Sequence, residues 1–161
     1  MNSKALSEAF KRGGAEALLA SLKEARGYDW IGIYVKKGDY LELALELGGT
    51  ASHRKIRVGE GICGMAAKKR QTVVVQDVEQ EPNYLACFPD TRSELVIPIL
   101  GPGQEVLGEI DVDDDQMGRF GLEEREELEE AARLLSQGWE KIKPNLFSKG
   151  YGAASPAEGP K

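Results

Sequence analysis

The sequence predicts an α+β fold: a central six-stranded, mostly antiparallel sheet, with the N- and C-terminal helices on one face and a long connection on the other. Three observations carry this. Apolar residues recur at helical spacing at both ends of the chain, strand-like runs joined by tight turns lie between, and one connection, Gly59 to Arg92, is far longer than a turn needs.

Residues 3–25 read as a helix, because Ala5, Leu6, Ala9, Phe10, Leu18, Leu19 and Leu22 fall on one stripe; Gly13 and Gly14 bend or divide it. "YDWIGIYVKKGDYLELALELG" then reads as a hairpin turning at Lys37, Gly38 and Asp39. In its second arm Leu41, Leu43, Leu45 and Leu47 are expected on one face, with Glu42, Ala44 and Glu46 on the other. Further strands are expected near 53–58, 72–76, 94–100 and 105–112, the last two joined by "GPGQ", with a short helix from Ile62 to Lys69 among them. From Leu122 to about Lys143 a single amphipathic helix should carry Leu128, Ala131, Ala132, Leu135, Trp139 and Ile142 inward, with acids at its positive N-terminal end. Pro144 ends it. Residues 1–147 are read as one domain and 148–161, "SKGYGAASPAEGPK", as a flexible tail.

With 161 residues, 41% of them hydrophobic, the chain can bury one core. A net charge of -6 argues against nucleic acid or an anionic membrane as partner. No apolar run approaches the roughly 18 residues that span a bilayer, and "MNSKALSEAFKRGG" has no signal-peptide core. The expected location is cytoplasmic, where thiols are kept reduced, so the two cysteines are not a default structural staple. The first and last helices, packed together, could expose an apolar stripe for a homodimer.

Three motifs resemble known sites and fall short. "GEGICG", Gly59 to Gly64, follows a strand and opens a helix as a dinucleotide fingerprint does, but the helix has room for only about two turns and Asp77 comes too early. A tight glycine turn that brings backbone close to another group fits better. "DVDDD", Asp111 to Asp115, starts like a calcium loop, but Gln116 and Leu122 stand where glycine and glutamate are needed. A solvated acidic loop accounts for Asp114 and Asp115. His53 and the two cysteines lack a fourth zinc ligand.

A second group of residues points to chemistry. Cys63 lies past the glycine turn at a helix start, and Cys87 lies in a turn-like segment before Glu94, 24 positions on. A free thiol, with a pKa of about 8.5, is mostly protonated at neutral pH, and a helix N-terminus or a cation lowers that value. Two inert buried cysteines are the plain alternative, although Pro89, Asp90 and Thr91 make poor apolar surroundings for Cys87. Asp111 and Asp113 share a strand face, and Glu94 opens the neighbouring strand, so three carboxyls could meet in one pocket and raise at least one pKa. Alternatively they mark strand ends in water. Trp30 and Tyr34 share a face as core residues or as the wall of a small-ligand pocket.

"WIGIY", "VGEGICGMAA", "QDV", "YLACFPDTRSELVIPI", "LGEIDVDD" and "RF" run in an order that resembles the free methionine-(R)-sulfoxide reductases, a family with a GAF fold, over residues 28–135. The resemblance implies a GAF-like domain that reduces free methionine (R)-sulfoxide without a cofactor or a metal. Cys87 would attack the sulfoxide sulfur and become a sulfenic acid, and Cys63 would form a disulfide with it, later reduced by a thioredoxin-like protein. Glu94 would hydrogen-bond the sulfoxide oxygen, Asp111 and Asp113 would bind the free amino group, and Trp30 and Tyr34 would surround the S-methyl group. Many family members carry a further cysteine ten positions before the Cys63 equivalent, where this chain has His53. Cys63 is therefore expected to resolve Cys87 directly. His53 and Arg54 could favour the thiolate or could simply form an exposed loop. Because GAF folds also serve as non-catalytic ligand-binding and redox-sensing modules, those functions stand as the alternatives.

Overall fold

The computed structural model describes residues 1–147, so the expected tail at 148–161 lies outside the described residues. Helix α1 spans Ser3–Arg26, with the Asn2 side chain capping its start and Gly27 its end. Gly13 and Gly14 both leave helical geometry, Gly14 at φ 69°, so the glycine pair kinks the helix. The strands are β1 Trp30–Lys37, β2 Tyr40–Leu47, β3 Lys55–Arg57, β4 Val73–Val75, β5 Ser93–Leu100 and β6 Val106–Asp114. They form one sheet of order β3-β2-β1-β6-β5-β4, and every neighbouring pair is antiparallel.

Helices α1, α3 (Leu122–Gln137) and α4 (Trp139–Ile142) cover one face. Leu18, Leu19, Leu22, Leu128, Ala131, Leu135 and Trp139 pack there on Ile31, Ile33, Val35, Leu95, Ile97 and Ile110. Arg26 at the end of α1 reaches Glu127 of α3 at 3.2 Å. The opposite face is covered by α2 (Gly61–Lys69) and the loop to β5, with Ile62, Cys63, Ala66, Val78 and Cys87 against Trp30, Tyr34, Leu41, Leu43 and Val96.

Three expectations change. The C-terminal helix is not continuous: it breaks at Gly138, where a Cβ would lie 3.0 Å from the Phe10 ring of α1. The break lets the first and last helices close together. β6 runs on to Asp114, whose side chain is buried and paired with Arg119 at 3.6 Å, so only Asp115 of the two belongs to a solvated loop. Among the described residues the large exposed hydrophobic side chains are Met117 and Leu122.

The third change matters most for the site. Ile33 pairs with Leu45 but Tyr34 pairs with Leu43, which leaves Ala44 as a β-bulge. Leu41 and Leu43 therefore face α2, while Ala44 and Leu45 face α1 and α3. One extra residue turns Glu46 from the expected solvent face to the side of Trp30.

Candidate active site

The central strands bring their acids into rows. Across β5, β6 and β1, Glu94, Asp113 and Trp30 are register partners, and the next row joins Val96, Asp111 and Gly32. A third row holds Glu109 between Pro98 and Tyr34. Gly32 is required here, because a Cβ would lie 2.6 Å from the Trp30 ring. Its absence of a side chain leaves room for the indole over Gly32, the register partner of Asp111.

All four carboxyls are buried. Glu109, Asp111 and Asp113 each retain oxygens with no hydrogen-bond partner. The Thr91 hydroxyl donates to Asp113 Oδ2 at 3.3 Å. Burial, chiefly, holds Glu94 and Asp113 well above the usual carboxylate range, and the charge of Asp111 in the next row adds to it. Desolvation also raises Glu109 well above its ordinary value and Asp111 less far. Sequence periodicity could have identified Glu109, since it continues the alternation of Asp111 and Asp113 by one step.

Cys63 is the third residue of α2, and its thiol faces these acids. Its sulfur and one carboxylate oxygen from each of Glu94 and Asp111 lie within 4.8 Å of one another. Those three are the buried groups best placed to hold a metal ion, and His53 is not one of them. Desolvation pushes the Cys63 thiol up, with Asp111, Glu109 and Glu94 adding to it, so burial outweighs the helix start that could have lowered it. The glycine turn beneath is a close backbone contact: Gly59 N–H donates to the Gly64 carbonyl at 2.9 Å. A Cβ on Gly64 would lie 2.6 Å from the Arg57 carbonyl oxygen.

Cys87 enters the same cluster from the loop before β5. Both cysteines are free of a disulfide and buried. The Cys87 thiol is pushed up to about 12 by burial and by Asp111 and Asp113, opposed by the His53 backbone N–H and the Tyr34 hydroxyl. Its sulfur lies 3.6 Å from His53 Nδ1. Ser52 ties the two loops together, its N–H (3.3 Å) and its hydroxyl (3.0 Å) both donating to the Cys87 carbonyl. Tyr34 donates its hydroxyl to the His53 carbonyl at 2.7 Å. Position 53 is therefore not an ordinary exposed loop.

Arg54 is not exposed either. It is buried beside Glu46, with Nη1 2.5 Å from Oε2. Glu46 Oε1 accepts from Trp30 Nε1 at 3.1 Å and from Ala51 N–H at 2.9 Å. The Phe88 ring packs on Trp30, with centroids 5.5 Å apart. Glu46, Arg54 and Phe88 thus hold the indole in place. No sequence signal marked them, because the Ala44 bulge and the long connection decide their positions.

A GAF domain family model matches residues 15–139. The free methionine-R-sulfoxide reductase of Saccharomyces cerevisiae is 36% identical over 112 residues, covering 68% of this chain and 62% of that protein, so the match spans a little under two thirds of that relative. Among solved structures, the type II free methionine-R-sulfoxide reductase from Thermoplasma acidophilum superposes with a TM-score of 0.74 at 36% identity, covering 82% of this chain and 92% of that one. The Neisseria meningitidis free methionine-R-sulfoxide reductase in complex with its substrate has a TM-score of 0.73 at 32% identity, over 89% and 83%.

Proposed function

The chain belongs to the GAF domain family, and from that premise we propose that it reduces free methionine (R)-sulfoxide to methionine, with Cys87 as nucleophile. One observation carries the reading: two free cysteines and a row of acids, whose pKa values burial raises, lie together in the buried space on one face of the sheet. That cluster lies in a chain 36% identical to a solved reductase across 92% of the latter's length.

The Cys87 thiolate attacks the sulfoxide sulfur. The S–O bond breaks, methionine leaves with its sulfur reduced by two electrons, and Cys87 is oxidised by two electrons to a sulfenic acid. Glu94, kept protonated by burial and by its acidic neighbours, donates to the departing oxygen. Asp111 and Asp113 receive the substrate ammonium, whose positive charge relieves the repulsion between them and lowers the cost of the thiolate. A residue inside a chain lacks that ammonium beside the sulfoxide. Trp30 and Tyr34 wall the S-methyl group. Cys63 then attacks the sulfenic sulfur, expels water and closes a disulfide that a thioredoxin-like protein reduces. Because the thiols and acids are buried, entry requires the segment bearing Cys87 and Phe88 to move aside.

The test is methionine release. With the R epimer and thioredoxin, the wild type turns over repeatedly, Cys63→Ser releases about one equivalent and stalls, and Cys87→Ser releases none. Sustained thioredoxin-driven turnover by Cys63→Ser removes Cys63 from the cycle. No release by the wild type moves the chain to a ligand-binding or redox-sensing module.

A further inference from the structure

The geometry points to His53 as a catalytic residue of this site, its imidazole taking the Cys87 proton when the thiol attacks and returning it when the disulfide forms. This rests on the reductase reading above. His53 Nδ1 lies 3.6 Å from Cys87 Sγ, within hydrogen-bonding reach for sulfur. The pairing is built into the fold. Tyr34 in β1 anchors the His53 carbonyl, Ser52 donates twice to the Cys87 carbonyl, and Arg54 is fastened to Glu46.

Chemistry supplies the need. Burial and the acids make the thiolate scarce at neutral pH, so a base must act as the substrate arrives. The only other basic side chain in the adjoining loop, Arg54, cannot accept a proton. A neutral imidazole protonated at Nε2 presents the Nδ1 lone pair to the thiol.

With His53 included, the cycle returns every proton. In the first half Cys87 S–H gives its proton to Nδ1, the thiolate adds to the sulfoxide sulfur, and Glu94 protonates the oxygen, which passes to Cys87 as the transient S–S bond and the substrate S–O bond both break. Methionine leaves, with imidazolium and the Glu94 carboxylate behind. In the second half the Cys63 thiol loses its proton to Glu94, the S–S bond forms, and imidazolium protonates the leaving hydroxyl to water. His53 and Glu94 end as they began, and the two electrons lost by the thiols are those gained by the substrate.

Two measurements test this without methionine sulfoxide. First, alkylation of Cys87 by iodoacetamide is followed against pH in Cys63→Ser, with His53 intact or changed by His53→Gln. Gln keeps a polar side chain but takes no proton. Among the described residues the groups bearing on the pair include Cys87, the Tyr34 phenol, Asp111 and Asp113 through Cys87, and the neighbouring Arg54–Glu46 ion pair. All remain in both proteins. At neutral pH His53→Gln should react at least about tenfold more slowly, and the difference should vanish at alkaline pH where the thiolate forms unaided. Equal rates at neutral pH, or a deficit that persists at alkaline pH, would overturn the assignment.

Second, His53 is the only histidine in the chain, so the imidazole nitrogen NMR signals of the intact protein belong to it alone. An Nε2–H tautomer whose Nδ1 signal shifts in Cys87→Ser supports the pair. An Nδ1–H tautomer overturns it whether or not His53→Gln folds. His53-dependent alkylation in a protein that releases no methionine sinks the reductase reading and leaves the proton pair standing.

Discussion

Glu94 and Asp113 face each other directly across β5 and β6, two buried carboxyls in one register pair, in the same row as Trp30 of β1. At that separation, and out of water, both cannot ionise cheaply. The pair therefore holds protons at a pH where isolated carboxyls have lost them.

Stability should fall as pH rises. Glu94, Asp113 and Glu109 have folded-state pKa values above their unfolded ones, so the folded chain keeps protons that the unfolded chain has given up. Their contribution is complete below about pH 4 and is lost as pH climbs through the folded values. Thermal melts between about pH 4 and about pH 8 should show this loss, and Glu109→Leu, which removes an unpaired buried carboxyl, should flatten it. A wild type more stable at the alkaline end contradicts the sign.

Glu94 and Asp111 should separate kinetically. Glu94→Gln keeps the shape but cannot donate an acid proton, so kcat for methionine release should drop about 100-fold or more with KM changed little. Asp111→Asn weakens the ammonium site and should act mainly on KM. Matching effects of the two variants on both constants would dissolve the distinction between proton donor and amine anchor.

The buried Arg54–Glu46 pair should be worth more broken than it is whole. Arg54→Met leaves the Glu46 carboxylate buried without its cation, and denaturant unfolding should register a loss of about 3–5 kcal/mol. In a Trp139→Phe background the remaining indole is Trp30, so its emission reports whether Glu46 still holds it. An unchanged midpoint and emission would mean the pair is ornamental.

Removing Ala44 should be mild for a deletion inside a buried strand. Without the bulge residue Leu43 and Leu45 become successive and alternate regularly, so Leu45 still faces the helices and Glu46 still faces Trp30. Near-UV circular dichroism should keep its native pattern. Loss of fixed tertiary packing would show that the bulge does more than set the facing.

The fold class was legible in the chain because it follows from local rules. Helical spacing in α1 and α3, the Gly38 turn and the alternation Asp111–Asp113 depend only on neighbours in sequence, and the observed elements agree within a few residues. The resemblance likewise marked Cys63, Cys87, Glu94, Asp111, Asp113, Trp30 and Tyr34 as a set, and the fold brings them to one side of the sheet. What only the tertiary structure decided came from register and long-range approach. A single unpaired residue, Ala44, chose which face Glu46 would meet, and the need of α1 to lie against the last helices broke that helix at Gly138. The contact of His53 with Cys87 joins residues 34 positions apart through a loop of no fixed period. Period and propensity constrain near neighbours; burial of distant loops over one face, and the charges that burial forces together, exist only once the chain has closed.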